Sequence, residues 1–309
     1  MKIAVFGAGG VGGYFGGLLA HAGHEVCFVA RGDHLAALQS RGLQVKSVHG
    51  DFSVQPVGAT DDPASVGAVD YVIVAVKHYG LTAAAAGVAE LVGPQTAVVP
   101  LLNGIDAHEI LEGQVPGRAL VGGLCSVVSM IESPGVIRQE SPFRSIVVGE
   151  LDHQRSDRVE RLIQAWQDCG AQATQAEDIH VALWNKFIFI ASFGGVGSLT
   201  RAKAGEIQAV PETQALIVEA SREVEAVARA EGVQLAADAA ARAVEFFDSL
   251  GPTTTSSMQR DVAAGAMFEL EAFSGTIVRR GQKNGVPTPV HRTIYALLLP
   301  AMKRAMKGE

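Results

Sequence analysis

Along the first half of the chain, short apolar runs alternate with polar or amphipathic stretches. Ile3-Ala4-Val5-Phe6 predicts a strand, 11–21 a helix that stops at Gly23, and 25–30 an alternating second strand. Residues 70–76 (DYVIVAV) and 96–102 (TAVVPLL) are unbroken apolar runs, the pattern of strands covered on both faces. The first ends at Lys77 and the second at Asn103-Gly104. Further strand candidates lie at 119–122, 135–139, 145–148 and 171–175. Strand–helix alternation near the start predicts a parallel, doubly wound α/β sheet. The later strands are parted by Ser-Pro-Gly at 133–135 and Ser-Pro at 141–142, and are expected as antiparallel additions to its edge.

From about Asp178 the pattern turns helical, with predicted helices at 179–193, 211–231, 235–249, 256–283 and 289–306. Gly251-Pro252 and Val286-Pro287-Thr288-Pro289 punctuate them. The border therefore falls near residue 176, giving an α/β domain over 1–176 and an all-helical C-terminal domain over 177–309.

Composition narrows the class. The 309 residues are 48% hydrophobic and 18% charged, enough apolar material for two cores. A formal charge of −7 argues against general affinity for nucleic acid or acidic membranes. An anionic ligand would need locally placed cations, which draws attention to Arg31, Lys77 and Lys186. Three cysteines form no C-x-x-C and leave an odd count, which fits a reducing cytoplasm. No signal-peptide layout precedes the first strand, no apolar stretch is expected to span a membrane, and the histidines show no metal-ligand spacing. A cytoplasmic enzyme without a metal is the expectation.

The first strand runs into Gly7-Ala8-Gly9-Gly10-Val11-Gly12, a G-x-G-x-x-G fingerprint in its required strand–turn–helix context. Gly7 permits the tight turn, Gly9 a close approach of backbone to pyrophosphate, and Gly12 close helix–strand packing. The helix N-terminus offers N–H groups and a positive dipole end to the phosphates. This is the start of a Rossmann-type domain. The second strand ends in Ala30-Arg31-Gly32 rather than in the acidic residue that binds a ribose 2′-hydroxyl. A guanidinium there suits a 2′-phosphate, so NADP(H) is the expected cofactor, in preference to reading Arg31 as an ordinary solvated charge.

Other residues carry chemistry only in combination. Lys186, within Leu183-Trp184-Asn185-Lys186-Phe187-Ile188, is a lysine in an apolar helix, and desolvation would make it a usable acid near neutral pH. A lysine that snorkels to solvent has the same local sequence. Glu269 and Glu271 are indistinguishable by spacing. Ser256-Ser257 read equally well as helix caps, and Asn103-Gly104 as a turn.

In order, these separated motifs resemble the ketopantoate reductase (2-dehydropantoate 2-reductase) family over essentially the whole chain. They are Gly7 to Gly12 with Arg31, Val74-Ala75-Val76-Lys77, Leu102-Asn103-Gly104, Trp184-x-Lys186, Ser256-Ser257-Met258-x-x-Asp261, and Glu269. The resemblance implies NADPH-dependent reduction of a 2-oxo acid, most simply ketopantoate to pantoate in pantothenate biosynthesis. It implies Lys186 as proton donor to the developing alkoxide and Glu269, in preference to Glu271, as the acidic residue between cofactor and substrate. Ser257, Thr254 and Asn103 would contact substrate, and Lys77, Asn103 and the backbone near Val128 the cofactor. A homodimer is compatible with the apolar C-terminal helices.

Family members of that activity typically carry asparagines four and eight residues after the lysine. Here those positions are Ile190 and Gly194, which predicts a more apolar and, at Gly194-Gly195, roomier face. A reductase of a more apolar 2-oxo acid is thus the alternative. A non-catalytic NADP(H)-binding sensor stands behind it.

Overall fold

A computed structural model describes residues 1–307. It divides into two compact units, Met1–Ile179 and His180–Glu309. The division falls just after the border expected near 176 because Ile179 packs back on the first unit. A Cβ on Gly122 would lie 2.5 Å from the Ile179 side chain.

The first unit begins β1 (Lys2–Phe6), α1 (Gly10–His21), β2 (Glu25–Val29), α2 (Gly32–Arg41). Three short strands follow, β3 (Leu43–Ser47), β4 (Phe52–Val54) and β5 (Gly58–Thr60). Then come β6 (Val69–Val74), α3 (Leu81–Ala89), β7 (Val92–Pro100) and α4 (Ala107–Glu112). The unit closes with β8 (Val121–Ser126), β9 (Ser129–Ser133), β10 (Val136–Gln139), β11 (Ser145–Glu150), α5 (Asp157–Asp168) and β12 (Gln172–Gln175).

Five strands form an all-parallel sheet in the order β5-β2-β1-β6-β7. From β1 the chain builds outward first to β2 and β5, then to β6 and β7. The carboxyl ends flanking β1 are therefore a topological switch point, where open α/β sheets bind ligands. Both faces are covered, as the unbroken apolar strands require. Ile3 and Val5 join Phe15, Leu19 and Trp166 on one face, while Ala4 and Phe6 join Leu81 and Val88 on the other.

The later strands do not extend this sheet as antiparallel ladders. They form a four-stranded sheet, β4-β3-β10-β9, and a three-stranded sheet, β12-β11-β8. Each mixes parallel with antiparallel pairing, and a single parallel bridge, Val98 to Leu120, reaches back to β7.

After Ile179, the first residue of α6 (Ile179–Thr200), the second unit comprises the rest of α6 with α7 (Ala204–Ala209), α8 (Pro211–Ala230), α9 (Ala239–Asp248), α10 (Ser257–Ala263), α11 (Thr276–Asn284) and α12 (Pro289–Lys307). The single helix expected over 256–283 is broken. Gly265, at φ +66°, turns the chain after α10, and a π-helical turn, Glu271–Gly275, precedes α11. A second expectation also changes, because α6 is long and apolar enough to cross a membrane, with mean hydropathy 1.4. Most of it is buried inside the protein, with Phe187, Ile188 and Ala191 fully so, which is the character of a core helix.

Candidate active site

The turn after β1 is built around missing side chains. Gly7 sits at φ +100° and donates its N–H to Val29 O at 3.0 Å. A Cβ on Gly12 would stand 2.0 Å from the Gly7 carbonyl, and one on Gly10 would stand 2.3 Å from the Ser129 carbonyl. Gly9 differs, since a Cβ there meets nothing within 4 Å. Its space is open to a ligand and to no protein atom. Gly9 is also the N-cap of α1 and supplies no side-chain cap, so the helix presents its N-terminal dipole to that space.

A cavity of about 350 Å³ opens here, lined among others by Gly7, Gly9, Arg31, His34 and Ile131. Arg31 is exposed directly beyond β2. His34, absent from the sequence expectations, accepts the Gly135 N–H on Nδ1 at 3.1 Å, and burial lowers its pKa. Glycines, helix N-terminus and guanidinium together fit a dinucleotide. Val128 fits less well than expected, because its N–H goes to Ser141 Oγ at 2.9 Å and its carbonyl accepts the Glu140 N–H at 2.9 Å.

Lys77 follows β6 and Asn103 follows β7, so both stand on the same carboxyl edge as the glycine turn. Between them lies a pair that sequence reading passed over, with His78 Nε2 2.6 Å from Asp106 Oδ1. The two residues are 28 positions apart, and no local pattern links them.

In the second unit, α6 carries Lys186, partly buried. One of its faces packs on two other candidate segments. A Cβ on Gly194 would lie 3.2 Å from the Phe273 ring and 3.9 Å from Met258 Cβ, and one on Gly197 would lie 3.0 Å from Gln259 Oε1. The Lys186 helix, the Ser257 segment and the segment after Glu269 are thereby brought together. Ser256 is the true cap of α10, its Oγ accepting the Gln259 N–H at 3.1 Å, which leaves Ser257 outside the capping role. Thr254 accepts the Ala204 N–H on its carbonyl at 3.0 Å, anchoring the approach to α10.

The two glutamates lie in different surroundings. Glu271 is held by the Tyr295 hydroxyl and by Arg279 Nη1, each donating at 2.6 Å. The hydrogen bond to Glu271 is also the main reason the Tyr295 pKa is raised. Glu269 is buried, 3% exposed, just before the turn. The expected room at Gly194-Gly195 is not there, because Phe273 covers Gly194 and Ile294 covers Gly195. Among the described residues no group of three His, Cys, Asp or Glu is arranged to hold a metal ion.

A dinucleotide cradle on a parallel sheet, followed by a helical unit with a lysine and a buried glutamate, defines a dinucleotide-dependent oxidoreductase. Family models described as ketopantoate reductase PanE/ApbA match residues 3–153, and its C-terminal part residues 178–301. The chain belongs to the ketopantoate reductase family. It is 32% identical to a 2-dehydropantoate 2-reductase of Mesorhizobium japonicum, over 96% of this chain and 97% of the relative. It is 31% identical to an uncharacterized oxidoreductase, YkpB, of Bacillus subtilis, over 96% and 98%. A crystal structure of a PanE/ApbA family ketopantoate reductase from Ralstonia eutropha superposes with TM-score 0.89 at 29% identity, covering 99% of this chain and all of that one.

Proposed function

We propose that this protein reduces a 2-oxo acid to the 2-hydroxy acid with NADPH, with 2-dehydropantoate as the first candidate substrate. The observation that carries this reading is the packing of the Lys186 helix against both the Ser257 segment and the segment following Glu269. When bound, NADPH supplies the hydride. The residues that would hold it are Gly7 to Gly12 at the pyrophosphate, Arg31 at the 2′-phosphate, and Lys77 and Asn103 beyond. Lys186 donates a proton to the C2 oxygen as negative charge develops there, and its ammonium stabilises that charge at the same time. Ser257 and Thr254 orient the substrate, and Glu269 stands as the acidic residue between cofactor and substrate.

The test is NADPH and NADH oxidation measured in parallel over a panel of 2-oxo acids. Arg31→Ala is expected to weaken NADPH use about tenfold while sparing NADH, since only the former loses a charged partner. Equal losses with both would remove the 2′-phosphate role. Turnover with no 2-oxo acid would leave a dinucleotide sensor.

A second reading concerns the substrate alone. Ile190 is partly buried one helical turn beyond Lys186, and Phe273 closes the face at Gly194, so the wall there has no amide to offer. A 2-oxo acid with an apolar C3 substituent fits such a wall better than one bearing a hydroxyl. Preference for 2-dehydropantoate over branched apolar 2-oxo acids by orders of magnitude would exclude it.

A further inference from the structure

His78 and Asp106 have no role in the chemistry above, yet each adjoins a segment expected on the cofactor. His78 follows Lys77, and Asp106 lies three residues past Asn103. Strands β6 and β7 are parallel neighbours, so the two loops emerge side by side. The side chains are 11% and 14% exposed, with the 2.6 Å contact between them.

Two local features indicate that this pairing is selected rather than incidental. Asp106 occupies the N-cap position of α4, where an aspartate ordinarily accepts from its own helix, and here no side-chain cap bond forms. The carboxylate reaches across to His78 instead. Gly104 stands between them at φ +110°, and a Cβ there would lie 3.1 Å from His78 Cδ2 and 3.4 Å from Asp106 Oδ1. Glycine is what lets the imidazole lie over the turn. Two local preferences yield to one long-range contact, the kind of exception found at functional sites.

We propose that His78 and Asp106 form a clasp joining the loops after β6 and β7, which fixes Lys77 and Asn103 in the geometry that grips the dinucleotide. This rests on the NADPH reading above. Both are positioning residues. They act through their chain neighbours, and their hydrogen bond removes the freedom of one loop to move against the other. Pre-organisation of this kind shows in affinity, because a loose site must be ordered at the moment of binding.

The test uses the full-length protein and NADPH itself, titrated by its nicotinamide fluorescence, with thermal unfolding of the unliganded protein measured alongside. His78→Ala and Asp106→Ala are each expected to raise the NADPH dissociation constant about tenfold. The double variant should be no worse than either single, because the pair acts as one unit. His78→Gln, which restores an N–H near the Nε2 position, should recover most of the affinity. In steady state the NADPH KM should rise more than the 2-oxo acid KM, because Lys77 is expected on the cofactor alone and Asn103 on both. Unchanged NADPH affinity in His78→Ala, or additive losses in the double variant, would overturn the clasp and leave the cofactor reading standing. Lowered melting temperature with unchanged affinity would do the same, marking a purely structural pair. Failure of the wild-type protein to bind NADPH would overturn both. His78→Gln, the least disruptive change, keeps the test decisive if the alanine variants fold poorly.

Discussion

The turn at residues 7–12 and the turn at residues 269–275 both carry residues of the proposed site, and they are built by opposite means. The first works by leaving side chains out. Gly7, Gly10 and Gly12 are each pressed against protein atoms closer than 3 Å from where a Cβ would be, and only Gly9 faces open space. The groups offered to a ligand are backbone N–H and the dipole of α1. The second turn works by sorting side chains. A π-helical turn, with the Gly275 N–H donating to Leu270 O at 2.9 Å, adds one residue to the helical circuit. Glu271, at the start of this turn, meets Arg279 and Tyr295, while Glu269, just before it, is buried. Where a site is built from backbone, the residue type is dictated; where it is built from side chains, placement rather than spacing tells two like residues apart.

That contrast breaks most sharply at the glycines. Gly12→Ala places a methyl 2.0 Å from the Gly7 carbonyl, and backbone cannot swing aside. A loss of about 3 kcal/mol of stability is expected, read by urea unfolding, together with loss of NADPH binding. Gly9→Ala is the informative partner, since its methyl meets no protein atom within 4 Å. The fold should be unchanged and NADPH affinity should fall about tenfold, because the methyl occupies space that a pyrophosphate needs. If Gly9→Ala binds NADPH normally, the phosphates do not sit over this turn.

The glutamates sharpen the other half. Glu269→Gln keeps shape and removes charge, and kcat is expected to fall about a hundredfold with stability nearly intact. Glu271→Gln should do the reverse, weakening the Arg279 and Tyr295 contacts by about 1 kcal/mol and leaving kcat within a few-fold. Reversal of these outcomes would assign the chemistry to Glu271.

What could be read in advance follows the same division. Residues 1–31, the ends of the two apolar strands and the helical character of the second unit are local patterns, and local patterns are legible. The short strands β4, β5 and β9 are three to five residues long and carry too few side chains to register a period. The break in 256–283 turns on one glycine, and the π-helical turn on a single added residue inside an otherwise continuous helical period. Gly194 looked like vacant room because sequence cannot say that Phe273, far along the chain, fills it. The His78–Asp106 contact is hidden for the same reason.

The smallest expected effect bears on what holds the second turn in place. Ser274, inside it, lies 3.2 Å from Nδ1 of His291, whose Nε2 lies 3.2 Å from the Ala220 carbonyl. The ring therefore donates from Nε2 to Ala220 and accepts the Ser274 hydroxyl on Nδ1. His291 is fully buried, and burial pushes its pKa down from 6.5 to about 4. Folding thus favours the neutral ring, so its contribution is whole above the unfolded value near 6.5 and is lost as pH falls from there toward 4. Glu223, whose carboxylate accepts the Val290 and His291 N–H groups, works in the opposite sense, because burial raises its pKa and acid relieves it. Comparison with His291→Gln, which keeps Glu223 and removes the titrating ring, isolates the imidazole. Between pH 7 and 5.5 the His291 share comes to about 1 kcal/mol. Amide-exchange protection over 270–276 should accordingly fall about fivefold in the wild type relative to that variant, after correction for intrinsic rates. Protection over 7–13 should not differ between the two proteins, because His34, whose ring bonds the Ala8 backbone and whose pKa burial also lowers, is present in both. If wild type and variant lost protection over 270–276 equally in acid, the second turn would not owe its placement to His291.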